Sequence, residues 1–278
     1  MLVAKEKGWY AEQGLDVTIV PVNQTTLDTV DPVVKGRHVI GCADGMVLLR
    51  ALRAGQPIAA FATTLQASPL GIVTLRSSHL SRIRDLAGKT IGLHAYDVPQ
   101  LGIMLQANGL SLAQVKIRKI GDDTTSLAAG TIDAQVVYLI DEKVALEAKG
   151  LQLNVFPGYE NNYSTYSQVY FARSDFLRAH PEILARFLLA TNRGWAEAFA
   201  HPQQTAAMLV ARYVPDKDVP AQVRSLTELQ RFATIESPQL GQMRRATWQK
   251  SCVLFHLDPA LADRLANFSV LKRVYGRE

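Results

Sequence analysis

Tyrosine and asparagine side chains concentrate in one short segment of the sequence, residues 158–166, which reads Gly-Tyr-Glu-Asn-Asn-Tyr-Ser-Thr-Tyr. A tyrosine ring offers a flat, rigid contact surface with a polar tip, and an asparagine amide places a donor beside an acceptor. These groups suit stacking on a planar heteroaromatic molecule and hydrogen bonding to its edge. We predict that five side chains of this segment contact such a ligand: Tyr159, Asn161, Asn162, Tyr163 and Tyr166. The alternative is a polar loop whose tyrosines pack on the protein itself.

Other polar side chains follow short apolar segments, 39–42, 58–63 and 89–93, that are typical of buried strands. In open α/β sheets, ligands bind outside the carboxyl ends of the strands, where the N-termini of the following helices favour polar or anionic groups. We predict ligand contacts from the side chains at these ends: Asp44, Thr64, Gln66, Tyr96 and Asp97. For Asp44 the alternative is a plain N-cap of the next helix, and for Thr64 and Gln66 it is a turn satisfied by its own side chains.

A repeated order of short apolar strand, polar loop and amphipathic helix positions these residues. Further strands are predicted over 115–120, 134–138 and 151–156, and helices over 46–54, 98–108, 122–129 and 141–149. Alternation of strand and helix predicts parallel sheets. After about Tyr170 the pattern becomes helical, with helices predicted over 175–179, from Pro181 and over 202–213. The sequence therefore predicts two α/β halves and a helical C-terminal wrap.

Length and composition limit the class of protein. A chain of 278 residues is long enough for two domains or for two lobes of one fold. Its 48% hydrophobic and 20% charged residues are ordinary for a soluble globular protein. The net charge of +5 is scattered along the chain, whereas a nucleic-acid groove needs a denser basic stripe with aromatic residues between. We therefore predict no nucleic-acid partner.

The cysteine, histidine and hydropathy patterns exclude further classes of protein. Cys42 and Cys252 are too few for a disulfide scaffold, and the six histidines lack metal-ligand spacing, so we predict no metal site and no cofactor. The longest uncharged stretch, 54–75, is interrupted by prolines and glycines and does not read as a membrane helix. No secretory signal is visible at the start of the sequence. We expect any signal or membrane anchor to lie outside this chain.

Residues 4–17, Ala-Lys-Glu-Lys-Gly-Trp-Tyr-Ala-Glu-Gln-Gly-Leu-Asp-Val, resemble the opening helix and second strand of the NMT1/THI5-like family of periplasmic substrate-binding proteins. Segments 84–92, 127–134 and 180–202 are also similar to that family, and the likeness runs from about residue 2 to about residue 213. It implies the α/β fold of type II periplasmic binding proteins, with two lobes that close on a ligand like a flytrap. The sheets would be mainly parallel and flanked by helices.

The resemblance also implies lobe boundaries and two site residues. Lobe 1 would comprise 1–76 and 170–278, and lobe 2 would comprise 77–169, with hinge crossings near 71–76 and 168–172. Family members carry a strand and a ligand-facing loop before the helix at which this sequence begins, so we expect an exposed sheet edge in lobe 1. In relatives that bind pyrimidine precursors of thiamine, a tyrosine and a glutamate stand at a strand end, and Tyr138 and Glu142 match them.

The leading prediction is a solute-binding protein of an ABC importer that binds a small, thiamine-pyrimidine-like heteroaromatic ligand between its lobes. It would be a periplasmic monomer whose partner is the importer's permease. One alternative is the extracytoplasmic sensor domain of a membrane kinase or cyclase, and another is a binder of sulfonate, taurine or nitrate. We predict no enzyme activity, because fungal relatives that make the thiamine pyrimidine use a cysteine cluster that Cys42 and Cys252 do not form, and no hydrolase, metalloprotease or phosphate-loop motif is present.

Overall fold

The computed structural model describes residues 1–22, 28–36, 38–121 and 123–276. These residues divide into two units, each built around its own sheet. Unit 1 comprises Met1–Ala67, Thr165–Thr205 and Gln230–Glu278, and unit 2 comprises Ser68–Ser164 and Ala206–Leu229. The predicted lobe 1 included residues 206–229, which the structure groups with unit 2. The predicted hinge crossings stay predictions.

The elements follow the chain in a regular order. The strands are β1 (Gly41–Ala43), β2 (Ile58–Leu65), β3 (Leu70–Leu75), β4 (Thr90–Leu93), β5 (Lys116–Lys119), β6 (Ala134–Tyr138), β7 (Leu153–Pro157) and β8 (Ser167–Arg173). The helices are α1 (Leu2–Glu6), α2 (Trp9–Glu12), α3 (Asp31–Lys35), α4 (Gly45–Arg53), α5 (Val98–Ala107), α6 (Glu142–Ala148), α7 (Ser174–Ala179), α8 (Pro181–Ala200), α9 (Pro202–Arg212), α10 (Val219–Ala233), α11 (Arg245–Leu254), α12 (Leu261–Leu265) and α13 (Ser269–Tyr275). Short 3-10 helices lie at Arg76–Ser78, Ile83–Leu86, Ala95–Asp97, Leu112–Gln114 and Gly158–Glu160.

The sheet of unit 1 is antiparallel. Its strand order is β1-β8-β2, and β8 pairs antiparallel with both neighbours, as in the registers of Cys42 with Tyr170 and of Thr63 with Val169. β1 and β2, which α4 connects, therefore run parallel to each other but do not pair. The predicted parallel pairing is wrong here because a strand from a distant part of the chain occupies the position between them.

The sheet of unit 2 is mixed. Its order is β5-β4-β6-β3-β7, in which β4 pairs parallel with β5 and β6, while β3 pairs antiparallel with β6 and β7. The prediction of mainly parallel sheets therefore holds only for the β5-β4-β6 half. The α/β class with flanking helices is as predicted.

The helix predicted over 122–129 is not formed by the described residues 123–129, which make turns. Asp123 accepts hydrogen bonds from the Thr125 backbone nitrogen (2.7 Å) and hydroxyl (2.6 Å) and from the Ser126 hydroxyl. Such local side-chain bonds compete with helical ones. They also hold the pKa of the Asp123 carboxyl well below its usual range.

The residues that carry the family resemblance at the start of the chain are packing residues of unit 1. The Tyr10 ring stacks on Phe187 of α8 with centroids 5.5 Å apart, and the Tyr10 hydroxyl lies 2.8 Å from Thr191 Oγ1. Gly194 of α8 lies so close to α1 that an added Cβ would be 2.9 Å from Ala4. The opening motif therefore secures α1 and α2 to α8.

The described parts of the chain contain neither a membrane-spanning helix nor a cluster of metal-ligating side chains. None of the helices there has the length and apolar character needed to cross a bilayer. No three histidine, cysteine or acidic side chains of the described residues converge as a metal site would require.

Candidate functional site

Four residues of unit 2 come together where β4 and β6 end, three through their side chains and Tyr138 through its backbone nitrogen, and we call them the Glu142 cluster: His94, Tyr96, Tyr138 and Glu142. The Tyr138 backbone nitrogen donates to Glu142 Oε2 at 2.8 Å. The other carboxylate oxygen, Oε1, lies 3.7 Å from His94 Nε2, which is longer than a hydrogen bond. The His94 and Tyr96 rings stack with centroids 4.9 Å apart and planes inclined by 12°.

The Glu142 carboxyl is largely enclosed, with 19% of its side chain exposed. Burial raises its pKa above the ordinary value of 4.5, and the nearby Asp141 carboxylate adds to the effect. Backbone hydrogen bonds and His94 act in the opposite direction. Burial therefore disfavours the charged form of this carboxyl, which only accepts hydrogen bonds when ionised and can also donate one when protonated.

Tyr96 adds an exposed aromatic surface to the cluster. Its side chain lies in the 3-10 helix before α5 and is 53% exposed, although its ring is supported on one face by His94. Asp97, the N-cap residue of α5, is buried instead. The predicted ligand contacts Tyr96, Tyr138 and Glu142 therefore lie together, and Asp97 lies beneath the surface next to them in sequence.

Residues 158–164 of the tyrosine and asparagine segment belong to unit 2 and are partly used to hold α5. Asn108 at the end of α5 donates to the Asn161 carbonyl oxygen at 3.1 Å, and Asn162 donates to the Ala107 carbonyl oxygen at 3.4 Å. Tyr163 is buried, Tyr159 and Asn161 are half-buried, and Asn162 is exposed with a left-handed φ of 62°. Ligand contact by these residues stays a prediction, and the two asparagines connect this loop to the end of α5.

In unit 1, Asp44 occupies the N-cap position of α4, which was the alternative to a ligand contact. Its side chain makes no capping hydrogen bond. Its Oδ1 accepts a hydrogen bond from the Ser167 hydroxyl instead. The neighbouring Thr165 hydroxyl is buried and has no hydrogen-bond partner among the described residues. An added Cβ on Gly45 would lie 2.8 Å from that hydroxyl, so the start of α4 needs a glycine.

Gln66 and Thr64 are buried and bonded within unit 1. The Gln66 side chain accepts from the backbone nitrogens of Glu236 (2.9 Å) and Ser237 (2.7 Å). It donates to the carbonyl oxygens of Ser237 (3.0 Å) and Gln239 (2.9 Å). The Thr64 hydroxyl donates to the Tyr170 hydroxyl at 2.8 Å. These bonds support the loop before α11 and the central strand β8.

Tyr166 is fully buried in the same unit. Its hydroxyl accepts from the Arg244 backbone nitrogen at 2.7 Å and donates to Glu236 Oε2 at 3.2 Å, and its ring packs edge-on against Trp248. Burial, aided by the Glu236 carboxylate, raises the pKa of Tyr166 well above its ordinary range. A tyrosine in this setting anchors α11.

His94 was not among the ligand contacts predicted from the sequence. The signal that was available is its position directly after β4 and two residues before Tyr96. Its neighbour across the cluster, Glu142, is 48 residues away in sequence and could not be inferred locally.

Cys42 and Cys252 are both free thiols. Burial, followed by the nearby Asp44 carboxylate, raises the pKa of Cys42 to about 12. This thiol is therefore protonated at neutral pH and is a weak nucleophile in that form.

Similarity to a known protein family covers most of the chain. The model described as NMT1/THI5 like matches residues 1–205 of this chain.

Two curated relatives are named as binding proteins. The riboflavin-binding protein RibY of Chloroflexus aurantiacus is 25% identical over 219 residues, covering 77% of this chain and 62% of the relative. The formylaminopyrimidine-binding protein of Halalkalibacterium halodurans is 27% identical over 217 residues, covering 76% and 65%. The chain thus spans less than two thirds of the length of these two relatives.

Three further relatives overturn the prediction that enzymes are excluded. A 4-amino-5-hydroxymethyl-2-methylpyrimidine phosphate synthase of Legionella pneumophila is 23% identical over 216 residues, covering 75% of this chain and 67% of the relative. Proteins of the same name from Uromyces fabae and Schizosaccharomyces pombe are 25% and 23% identical. The prediction of no enzyme activity is therefore wrong as an inference from this family, because missing motifs of unrelated enzymes do not test for a synthase.

Solved structures share the fold. The periplasmic aliphatic sulphonate-binding protein SsuA of Escherichia coli has a TM-score of 0.65 at 15% identity, covering 81% of this chain and 77% of that chain. SsuA of Xanthomonas axonopodis, bound to MOPS, has a TM-score of 0.66 at 18% identity, covering 97% and 91%. The desulfurization enzyme DSZB has a TM-score of 0.67 at 18% identity, covering 99% and 95%. The chain has the α/β fold of type II periplasmic binding proteins, as predicted, and this fold is shared by binding proteins and an enzyme.

Proposed function

We propose, because this chain belongs to the NMT1/THI5-like family, that it is a solute-binding protein whose ligand is a small nitrogen heterocycle. The observation that carries the proposal is the Glu142 cluster, in which an enclosed carboxyl with a raised pKa lies beside a stacked His94 and Tyr96 pair.

The chemistry of the cluster matches an amino-substituted aromatic ring. A carboxylate oxygen accepts from a ring amino group, and the protonated carboxyl donates to a ring nitrogen. Glu142 Oε2 is already used by Tyr138, so Oε1 is the atom that we assign to the ligand. The exposed face of Tyr96 supplies a flat surface on which such a ring stacks.

The relatives support the same ligand class. The two binding proteins are named for riboflavin and formylaminopyrimidine, and the three synthases are named for a pyrimidine product. All of these molecules contain a nitrogen heteroaromatic ring. We therefore favour a pyrimidine-like ligand over the sulfonates of the structural neighbours, whose likeness supports the fold alone.

A partner and a location follow from this proposal. A protein that binds a solute for import delivers it to an ABC permease, and in that role the chain acts outside the cytoplasm. A sensor domain of a membrane signalling protein would use the same ligand site, and identification of the joined or neighbouring gene distinguishes the two.

Ligand titration tests the proposal directly. Thermal unfolding of the full chain is recorded with 4-amino-5-hydroxymethyl-2-methylpyrimidine, formylaminopyrimidine, riboflavin and, as a control without a heteroaromatic ring, taurine. A ligand present at 100 times its dissociation constant adds about 2.7 kcal/mol to stability, which moves the midpoint by degrees. We expect a shift with at least one heterocycle and none with taurine. A shift with taurine alone would contradict the assignment.

The second candidate function is a pyrimidine phosphate synthase, which the three relatives of that name favour. The purified chain is incubated with cell extract of a thiamine-requiring strain that lacks the synthase. Formation of 4-amino-5-hydroxymethyl-2-methylpyrimidine phosphate is followed by mass spectrometry. Product that depends on the chain would replace the binding proposal, whereas binding of the heterocycle without product supports it.

A further inference from the structure

A cavity of about 260 Å³ lies in unit 1, in the C-terminal part of the chain. Its walls come from the loop before α11, from the start of α11 and from Phe268. The cavity lies outside residues 1–205, which match the family, and none of the predicted ligand contacts lines it.

Two guanidinium groups line the cavity and retain most of their donors. Arg244 donates through Nη2 to the Glu236 carbonyl oxygen, and Arg245 donates through Nη1 to Asp263 Oδ1. A guanidinium has five N–H donors. In the part of the chain that the structure describes, no other side-chain hydrogen bond of these two arginines is present. The remaining donors can bind an anion.

The nearby carboxylates are already partnered. Asp263 is bound by Arg245, and the Glu236 carboxylate accepts from the hydroxyls of Tyr166 (3.2 Å) and Thr247 (3.1 Å). The first turn of α11, a helix of ten residues, contains no acidic residue, and its N-cap position is Arg244, which makes no side-chain capping bond. The positive end of this helix adds to the attraction of the arginines for an anion.

Met243 and Phe268 supply the apolar walls of the cavity, and Ser237, Gln239 and Gln242 supply further polar ones. Met243 and Phe268 are buried, and the Trp248 indole nitrogen lies 3.4 Å from the Met243 sulfur, which holds that side chain in position. The Arg245 guanidinium carbon lies 5.5 Å from the centre of the Phe268 ring. The cavity thus offers a contact surface for a flat apolar group of a ligand next to hydrogen-bond donors for an anionic group.

We infer that this cavity binds a small organic anion, whose carboxylate or sulfonate pairs with Arg244 and Arg245 and whose apolar body contacts Met243 and Phe268. The volume is below the roughly 300 Å³ at which pockets for drug-sized ligands begin, which limits the ligand to a single small ring or a short chain. The site is separate from the Glu142 cluster, which lies in unit 2.

Calorimetric titration of the full chain with benzoate and with benzamide tests the inference. The two probes share a ring, but only benzoate is charged. We expect the affinity for benzamide to be lower than that for benzoate by a factor of about ten or more, since charge-assisted hydrogen bonds are roughly twice as strong as neutral ones. Arg245→Gln weakens benzoate binding by about tenfold. Arg273→Gln, which removes an exposed arginine of α13, changes it by less than about twofold.

A second set of variants keeps the test valid if Arg245→Gln unfolds. Asp263→Asn leaves Arg245 without its carboxylate partner, so benzoate binds about threefold more tightly. Arg244→Gln weakens binding while leaving that ion pair in place. In ¹³C-methyl spectra, benzoate shifts the Met243 signal, which Met243→Leu identifies.

Two outcomes overturn the inference. One is that benzoate does not bind, or binds equally to the native chain, Arg244→Gln and Arg245→Gln. The other is that Glu142→Gln abolishes benzoate binding, since the anion would then occupy the cluster of unit 2. Failure of the heterocycle titration leaves these results unchanged, so the two proposals fail separately.

Discussion

Unit 1 and unit 2 use predicted ligand contacts of similar chemistry in different ways. In unit 1, Gln66 is 1% exposed, and both ends of its amide are bonded to the backbone of residues 236–239. In unit 2, the Glu142 carboxyl is bonded at one oxygen to Tyr138 and faces His94 at 3.7 Å with the other. Gln66 therefore has no hydrogen-bonding capacity left for a ligand, whereas Glu142 retains some.

The two tyrosines differ in the same way. Tyr166 of unit 1 is completely buried and joins β8 to the start of α11, whereas Tyr96 of unit 2 exposes half of its surface while stacked on His94. Residue type alone therefore does not distinguish a structural polar group from a ligand-binding one. The distinguishing property is how much of its hydrogen-bonding capacity and surface the protein already uses.

Gln66→Ala is the change with the largest expected effect. It removes four hydrogen bonds to backbone groups, and at about 1 kcal/mol each the free energy of unfolding falls by about 3 to 4 kcal/mol. Denaturant unfolding measures this loss. Gln203→Ala, at an exposed position of α9, is the matched control and changes stability by less than about 0.5 kcal/mol. Equal stability of both variants would break the comparison between the units.

Glu142→Gln tests the opposite side of the comparison. We expect affinity for the heterocycle to fall by about tenfold, or about 1.4 kcal/mol, because a charged acceptor is replaced by a neutral one. Titration calorimetry measures the affinity, and unfolding shows that the fold persists. Glu147→Gln lies on the same helix, is paired with Lys143 at 3.3 Å, and leaves the affinity unchanged. Unaltered binding by Glu142→Gln would remove this residue from the site.

Tyr96→Ala has a smaller expected effect. Loss of the stacking surface weakens binding of a heterocycle by about fivefold, about 1 kcal/mol, whereas Tyr96→Phe keeps the ring and the affinity. Stability changes little, because the side chain is 53% exposed. If Tyr96→Phe weakens binding as much as Tyr96→Ala does, the hydroxyl rather than the ring makes the contact.

The smallest expected effect is a pH dependence of stability at Glu142. Burial raises the pKa of this carboxyl above 4.5 in the folded state, so between the two pKa values the folded chain binds more protons than the unfolded one. The stability that Glu142 contributes is fully present at a pH below its pKa in the unfolded chain. It is lost as the pH rises through its pKa in the folded chain. The native chain therefore loses stability relative to Glu142→Gln as pH increases from 4 to 8, as denaturant titrations at several pH values would show. An opposite slope would mean that the paired carboxylate is favoured on folding.

Much of the fold could be predicted from local sequence. The strand predicted over 134–138 is β6 with the same limits, and the helix predicted from Pro181 is α8. Gly55, which follows α4 closely, has a φ of 79°, which favours glycine at that position. The turn at Asp123 was mistaken for a helix because side-chain bonds to the backbone outweighed the periodicity of the apolar residues.

The candidate site was predicted less completely. Tyr138 and Glu142 were selected through the family resemblance, and the structure brings them together with Tyr96. The contribution of His94 depends on its distance from Glu142, which no local pattern records. The use of Gln66 as a support for residues 236–239 joins segments 170 residues apart in sequence.

The sequence by itself determined where most of the strands and helices lie, which family the chain belongs to, and which polar side chains follow the strands. Those properties depend on neighbours within a few turns of the chain, so periodicity and capping residues encode them. Only the tertiary structure decided that β8 separates β1 from β2, that Gln66 and Tyr166 are fully bonded, and that Glu142 lies beside His94. Pairing between strands and satisfaction of buried polar groups are set by contacts between distant segments, and those contacts form only when the chain folds.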